Sequence, residues 1–190
     1  MRIGLFFGSF NPVHKGHLEI ATYFLKNTDL NEVWLVVSPQ NPLKDDSELL
    51  EVEERLEMVS AALTDHDGIK SCEVELNLPK PSYTIDTLRE LSQQHPSYKF
   101  AIIMGTDNLE KFDLWKSYEE ILANYEIYVY PRTGSSADQF KGHPAVTLID
   151  SELLEVSATM LRTRIKRNEY DEWLPDSVAS IISDKGYYTD

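Results

Sequence analysis

The sequence predicts an α/β fold: a single doubly wound, Rossmann-like domain over residues 1–190, with a mostly parallel sheet and C-terminal helices. Three observations carry this. Short continuous apolar runs recur along the chain, as in strands buried on both faces. Between them lie segments whose apolar residues recur at steps of three and four, the helical period. The alternation persists without repeat, low-complexity tract or linker, so right-handed βαβ crossovers into one sheet are the economical arrangement.

Ile3–Phe7 is the first buried run. His17–Lys26 is helical, with Leu18, Ala21, Phe24 and Leu25 on one face. Val33–Val37 is a second strand, stopped by Ser38-Pro39, because proline pushes its predecessor away from the helical region. Val52, Leu56, Val59 and Leu63 define a second helix, and Cys72–Leu76 alternates like a strand. Ile85–Gln94 is a third helix with Ile85, Leu88 and Leu91 inward. Phe100–Met104 is another buried strand, and Asn108–Leu122 is helical with a break near Asp113. Ile127–Tyr130 and Val146–Ile149 are short strands; Thr133–Gly142 between them is a polar loop, expected to be the most mobile segment. Helices over 158–167 and 176–184 follow, the last capped by Gly186. Ligands of such sheets bind beyond the carboxyl ends of the strands, here after Phe7, Val37, Leu76, Met104 and Tyr130.

Composition narrows the function. The net charge of −14 argues against non-specific binding to nucleic acid or anionic membrane, which needs a cationic surface. An anionic ligand must be held locally, by a few cations and backbone N–H groups. A lone cysteine, Cys72, allows no intrachain disulfide and suits a reducing, cytoplasmic compartment. No apolar run approaches a membrane span, and no signal-peptide pattern precedes the first strand.

The stretch GSFNPVHKGH, Gly8 to His17, stands between the first strand and the first helix. Gly8 permits a turn and a close approach, Ser9 and Phe10 supply N–H groups, and Gly16 removes a side chain beside the helix start. His14 and His17, three apart, share one face where unpaired N–H groups and the helix dipole attract an anion. Metal ligation is disfavoured, because His66, His95, His143 and Cys72 lie at no ligand-like spacing. The glycine-rich dinucleotide and P-loop patterns are absent. A tight turn with surface histidines stays open on local sequence, but a phosphate cradle built on histidines is the better reading.

Elsewhere the plainer readings are strong. Ser157 and Thr159 read as helix capping, and Arg162 as part of a solvated basic face with Arg164 and Lys166. Asp107 and Glu110 have capping-box spacing. Trp115, among Phe112, Tyr118, Ile121 and Leu122, reads as core. Asp45-Asp46 reads as a solvated loop rather than a metal pair.

GSFNPVHKGH resembles the G-x-F-x-P-x-H-x-G-H signature of the nucleotidylyltransferase superfamily, and VSATMLR resembles its late I-S-[ST]-T-x-[IL]-R motif. NPLK, PSYTIDTL, IMGTDNLEKFDLWKSYEEIL and LPDSVASIISDKGYY, in that order, resemble one branch, the bacterial nicotinate-nucleotide adenylyltransferases. The resemblance implies adenylyl transfer from ATP to nicotinate mononucleotide, giving nicotinate adenine dinucleotide and pyrophosphate in NAD biosynthesis. It implies direct in-line attack without a covalent intermediate, and Mg²⁺ carried with ATP. By the same resemblance His14, His17 and Arg162 are catalytic. Gly8, Ser9, Phe10, Gly105, Asp107, Ser157 and Thr159 join those three in binding ATP. Asn11, Lys44, Tyr83, Thr84, Trp115 and Arg132 bind the mononucleotide, Trp115 by stacking on the pyridine ring. Asn11 stands where the branch often has Asp, and Leu43 where it often has His, so a phosphate contact there falls to Lys44 or backbone. Two alternatives share the terminal motifs: a superfamily enzyme for another acceptor, such as phosphopantetheine, and a nucleotide-binding module without turnover.

Overall fold

The computed structural model describes residues 1–39, 48–149, 156–169 and 172–189. Its elements are β1 (Arg2–Gly8), α1 (Lys15–Asn27), β2 (Glu32–Val37), α2 (Val52–Ala62), β3 (Ile69–Cys72), α3 (Thr84–Gln94) and β4 (Lys99–Gly105). Then come α4 (Thr106–Leu109), α5 (Tyr118–Asn124), β5 (Glu126–Tyr130), β6 (Val146–Leu148), α6 (Ala158–Lys166) and α7 (Asp176–Lys185). The six strands form one sheet in the order β3-β2-β1-β4-β5-β6, and every pairing is parallel. Leu5 of β1 lies opposite Trp34 of β2 on one side and Ile102 of β4 on the other. The strand order reverses at this β1–β4 seam, and in such sheets ligands bind in the crevice beyond the carboxyl end of the seam.

The period of two along each strand explains why the apolar runs are continuous. Ile3, Leu5, Ile102, Ile127 and Val129 enter one layer, with Ile85, Leu88 and Leu91 of α3 and Ile121 of α5. Phe6, Leu35 and Ile103 enter the other, with Phe24 of α1, Val59 of α2, Leu161 of α6 and Ile182 of α7. A fully buried side chain such as Leu88 contributes roughly 1.5–3 kcal/mol through removal from water.

One expectation needs correction. The strand expected over Cys72–Leu76 ends at Cys72, and Val74–Asn77 is a 3-10 turn that points both Val74 and Glu75 inward. The buried Glu75 carboxyl accepts a hydrogen bond from Thr87 Oγ1 at 2.8 Å, a partner that a regular strand would not have reached. The break expected near Asp113 in the Asn108–Leu122 stretch is present: α4 gives way to a 3-10 turn at Phe112–Leu114, and α5 begins after Ser117, which takes the left-handed conformation with φ 54°. The Thr133–Gly142 loop touches the body of the fold at two points. Ser136 N–H donates to Glu110 at 2.6 Å, and Phe140 is buried with its ring edge-on to Phe112 at 5.6 Å.

Candidate active site

The first wall of the crevice is the β1–α1 turn. Phe10 takes a left-handed backbone (φ 48°), unusual for a residue with a Cβ, and its ring is buried against Phe6 and His17. His14 is the N-cap of α1, so the helix opens two residues earlier than its apolar pattern suggests. The His14 and His17 rings stack at 3.6 Å, 22° from parallel. His14 N–H donates to His17 Nδ1 at 3.2 Å, which leaves the proton of a neutral His17 ring on Nε2. Gly16 is required here: a Cβ would come within 2.4 Å of Val156 Cγ1.

His14 is buried, and Nδ1 of its ring has no hydrogen-bond partner. Burial, and then the positive charge of Arg132, push its pKa down to about 3, so the ring is neutral in the free protein. The pKa is depressed relative to the unfolded chain, so its stabilising contribution is complete above about pH 6.5 and is lost as pH falls toward 3. Between pH 7.5 and 5.0 this one residue should remove about 2 kcal/mol of stability. Urea unfolding of wild type and His14→Gln at both pH values checks this. The variant should lose less stability on acidification by that amount, and parallel losses would contradict the assignment.

The second wall is the start of α6. Ser157 Oγ caps the helix, accepting from Met160 N–H at 3.2 Å, as expected. Arg162 Nη1 donates to the Asn11 carbonyl at 2.9 Å and so brings the last motif onto the first, 151 residues away. The rest of the guanidinium faces Glu48 Oε2 at 3.1 Å and Thr159 Oγ1 at 3.4 Å.

The third wall is the end of β4. A Cβ on Gly105 would lie 2.4 Å from Asp107 Oδ1 and 2.8 Å from Arg132 Cγ, so only glycine lets these groups converge. Thr106 Oγ1 accepts from Arg132 N–H at 2.9 Å and lies 2.6 Å from Ser135 Oγ, tying the segment after β5 to β4. Arg132 Nε stands 4.0 Å from Asp107 Oδ1. Arg132 therefore sits beside Gly105 and Asp107, on the same side as His14. The expected Asp107–Glu110 capping box does not form: Gly105 is the N-cap, and Glu110 is taken by Ser136.

The fourth wall is the start of α3, with Tyr83 at the N-cap and Thr84 first in the helix, one residue before the Ile85 at which the apolar pattern begins. Lys116 spans from the next segment. Its Nζ is 4.7 Å over the Tyr83 ring and 2.7 Å from Asp86 Oδ2. This holds Trp115, half-buried and tilted on Phe112 at 5.3 Å, on the segment joined to that helix start. Lys44, Leu43 and Asp45-Asp46 lie outside the described residues.

Asn11 links three segments of the chain. Its Nδ2 donates to the Glu48 carbonyl at 2.8 Å, while Oδ1 accepts from Leu50 N–H at 3.3 Å and Tyr188 OH at 2.7 Å. With both Oδ1 lone pairs engaged and the residue 3% exposed, Asn11 braces the β1–α1 turn against the segment before α2 and the C-terminal Tyr188.

Sequence reasoning missed Arg55. Its guanidinium is buried and donates to the carbonyls of Ser9 at 2.6 Å, Ser38 at 2.8 Å, Pro39 at 3.1 Å and Leu50 at 2.9 Å. It thus fastens the turns after β1 and β2 to the entrance of α2. No periodicity announces this, since an arginine in an amphipathic helix reads as solvent-facing. In a chain of net charge −14, Arg55 and Arg162 both reach the β1–α1 turn, at the Ser9 and Asn11 carbonyls, and Arg132 stands beside Asp107 at the end of β4. Among the described residues, no group of three or more His, Cys, Asp or Glu is placed to hold a metal ion, and no helix is long and apolar enough to cross a membrane.

Known proteins resemble this chain in sequence and in fold. The cytidylyltransferase-like family model matches residues 5–164. A protein of Cytophaga hutchinsonii named "Probable nicotinate-nucleotide adenylyltransferase" is 45% identical over 190 residues, covering 100% of this chain and 99% of its own. A Flavobacterium johnsoniae protein of the same name is 42% identical, covering 99% of each chain. Among solved structures, Plasmodium falciparum nicotinic acid mononucleotide adenylyltransferase complexed with NaAD superposes with a TM-score of 0.82 at 19% identity, over 98% of this chain and 97% of that one. At that identity the likeness speaks for the fold.

Proposed function

Because the chain belongs to the cytidylyltransferase-like family and, within it, to the nicotinate-nucleotide adenylyltransferases, we propose that its crevice transfers the adenylyl group of ATP to nicotinate mononucleotide. The observation that carries this reading is the Arg162–Asn11 contact at 2.9 Å, which joins the histidine cradle to the α6 wall and makes one anion site of two.

The nucleophile is a phosphate oxygen of the mononucleotide, already ionised at neutral pH, so no general base is needed. It forms a bond to the α-phosphorus of ATP as the bond to the β-phosphate bridging oxygen breaks, and pyrophosphate leaves with the electron pair. The protein's work is alignment of two anions and stabilisation of charge on the leaving group. His17 Nε2–H and the His14 ring supply donors at the cradle, and Arg162 a charged fork at the β- and γ-phosphates. Gly105 and Asp107 form the adenosine side, and Arg132 beside them clamps the mononucleotide and adds positive charge near the reacting phosphate. Trp115 gives the pyridine ring a stacking face, and the N–H groups at Tyr83-Thr84 face its carboxylate. The negative charge of Asp86 in that first turn is covered by Lys116 and Arg89. Mg²⁺ enters on the triphosphate, whose oxygens and waters satisfy it with few protein ligands. The lone, buried Cys72 suits work in the cytoplasm.

The test is to mix the protein with MgATP and nicotinate mononucleotide and measure pyrophosphate and dinucleotide together. Equal yields of both, abolished by chelation and restored by Mg²⁺, are expected. Pyrophosphate release with phosphopantetheine instead, or ATP binding with no turnover on any acceptor, would replace this reading with one of the alternatives.

A further inference from the structure

Two cations on α6 hold a single carboxylate, and the cradle does not need it. Glu48 Oε2 is 3.1 Å from both Nε and Nη2 of Arg162, and Oε1 is 2.8 Å from Lys166 Nζ. Two donors meet one oxygen and a third meets the other, the pattern in which guanidinium and ammonium groups also bind phosphate. These partners hold the Glu48 carboxyl below its ordinary range.

Arg162 does not depend on Glu48 for its direction, because Nη1 is independently fixed on the Asn11 carbonyl at 2.9 Å. Nor does the Glu48 backbone depend on its side chain. The Glu48 carbonyl accepts from Asn11 Nδ2 at 2.8 Å, and two residues on, Leu50 N–H donates to Asn11 Oδ1 at 3.3 Å. The Glu48 side chain is about half exposed, so it can rotate toward solvent while the main chain stays.

We propose that Lys166 joins Arg162 in binding the outer phosphates of ATP, and that Glu48 fills this seat as an internal anion until the nucleotide displaces it. The proposal rests on the reading of the crevice as an ATP site. A triphosphate carries more charge than one carboxylate and offers tetrahedral oxygens to all three donors, so it wins the seat. Its apparent affinity is nevertheless reduced by the fraction of time Glu48 is bound there. After displacement, the carboxylate stays near the phosphates and repels them. Both effects vanish when the charge is removed. Since exposed ion pairs are weak, the gain should be about two- to fivefold.

The experiment is calorimetric titration of MgATP into wild type, Glu48→Gln, Lys166→Gln and the double variant. Glu48→Gln should bind ATP about two- to fivefold more tightly. Lys166→Gln should bind more weakly, and Glu48→Gln should bring a smaller gain in that background because the seat has lost a cation. Inorganic tripolyphosphate, which probes the seat without adenosine, should follow the same order. If Glu48 instead serves to align Arg162, Glu48→Gln will bind ATP more weakly, and the proposal fails. Unchanged affinity, or full additivity of the two substitutions, also overturns it. Wild-type protein that binds no ATP overturns the ATP-site reading itself, and that is seen before any variant is compared.

Discussion

Replacing His17 by alanine is expected to lower kcat about 10²–10³-fold while changing the KM for ATP far less. The reason is preorganisation. His14 N–H holds Nδ1 of the ring at 3.2 Å, and Phe6, Phe10 and the His14 ring enclose it at 5.8, 4.9 and 3.6 Å between ring centres. Its Nε2–H is therefore a donor of fixed direction, which costs no reorganisation when charge moves onto pyrophosphate. In the ground state that hydrogen bond replaces one to water and contributes little net binding. Steady-state kinetics on protein shown to be folded by its melting transition checks this. Turnover near the wild-type rate would remove His17 from the chemistry.

Arg162→Ala should reduce kcat/KM by a similar factor, but with much of the loss in the KM for ATP. The side chain is 14% exposed and hydrogen-bonded to the Asn11 carbonyl, so its charge acts in a partly desolvated setting. Truncating one partner of such a charged contact costs about 3 kcal/mol, a little over a hundredfold. Arg162→Lys should recover only part, because an ammonium cannot both hold Asn11 and present a fork to phosphate. Full recovery by lysine would mean that charge alone matters and the fork does not.

The parts of the molecule legible in the sequence were those governed by local pattern. β1, β2, β4 and β5 stood out because burial on both faces leaves an uninterrupted apolar run. The caps at Ser157 and Gly186 stood out because few residues serve there. The segment after β3 misled, since Cys72, Val74 and Leu76 alternate like a strand, whereas the chain follows the burial of Glu75 onto Thr87. Trp115 falls after a 3-10 turn rather than within a helix, because Ser117 breaks the period between Phe112 and Ile121. Among site residues, local spacing pointed to His14 and His17, whereas Arg162 read as a solvated basic face and entered the site only through the resemblance of VSATMLR to the late superfamily motif. Spacing could not show that Asn11 is spent on Leu50, Glu48 and Tyr188, or that Arg55 holds four carbonyls. Both depend on contacts between segments far apart in the chain.

The measurement that bears most directly on the account is kcat/KM for nicotinate mononucleotide and for its amide counterpart at one MgATP concentration. The two differ only where an NH₂ replaces a carboxylate oxygen. The N–H groups at the Tyr83-capped start of α3, and the positive end of its dipole, suit the carboxylate. The amide sets donor against donor, at about 1–3 kcal/mol for each group left unpaired, and sites built on such bonds discriminate by orders of magnitude. Stacking on Trp115 is blind to the difference, so Trp115→Ala should weaken both substrates alike. The account predicts a strong preference for the acid that survives in Trp115→Ala. Comparable values for acid and amide, or preference for the amide, would contradict it.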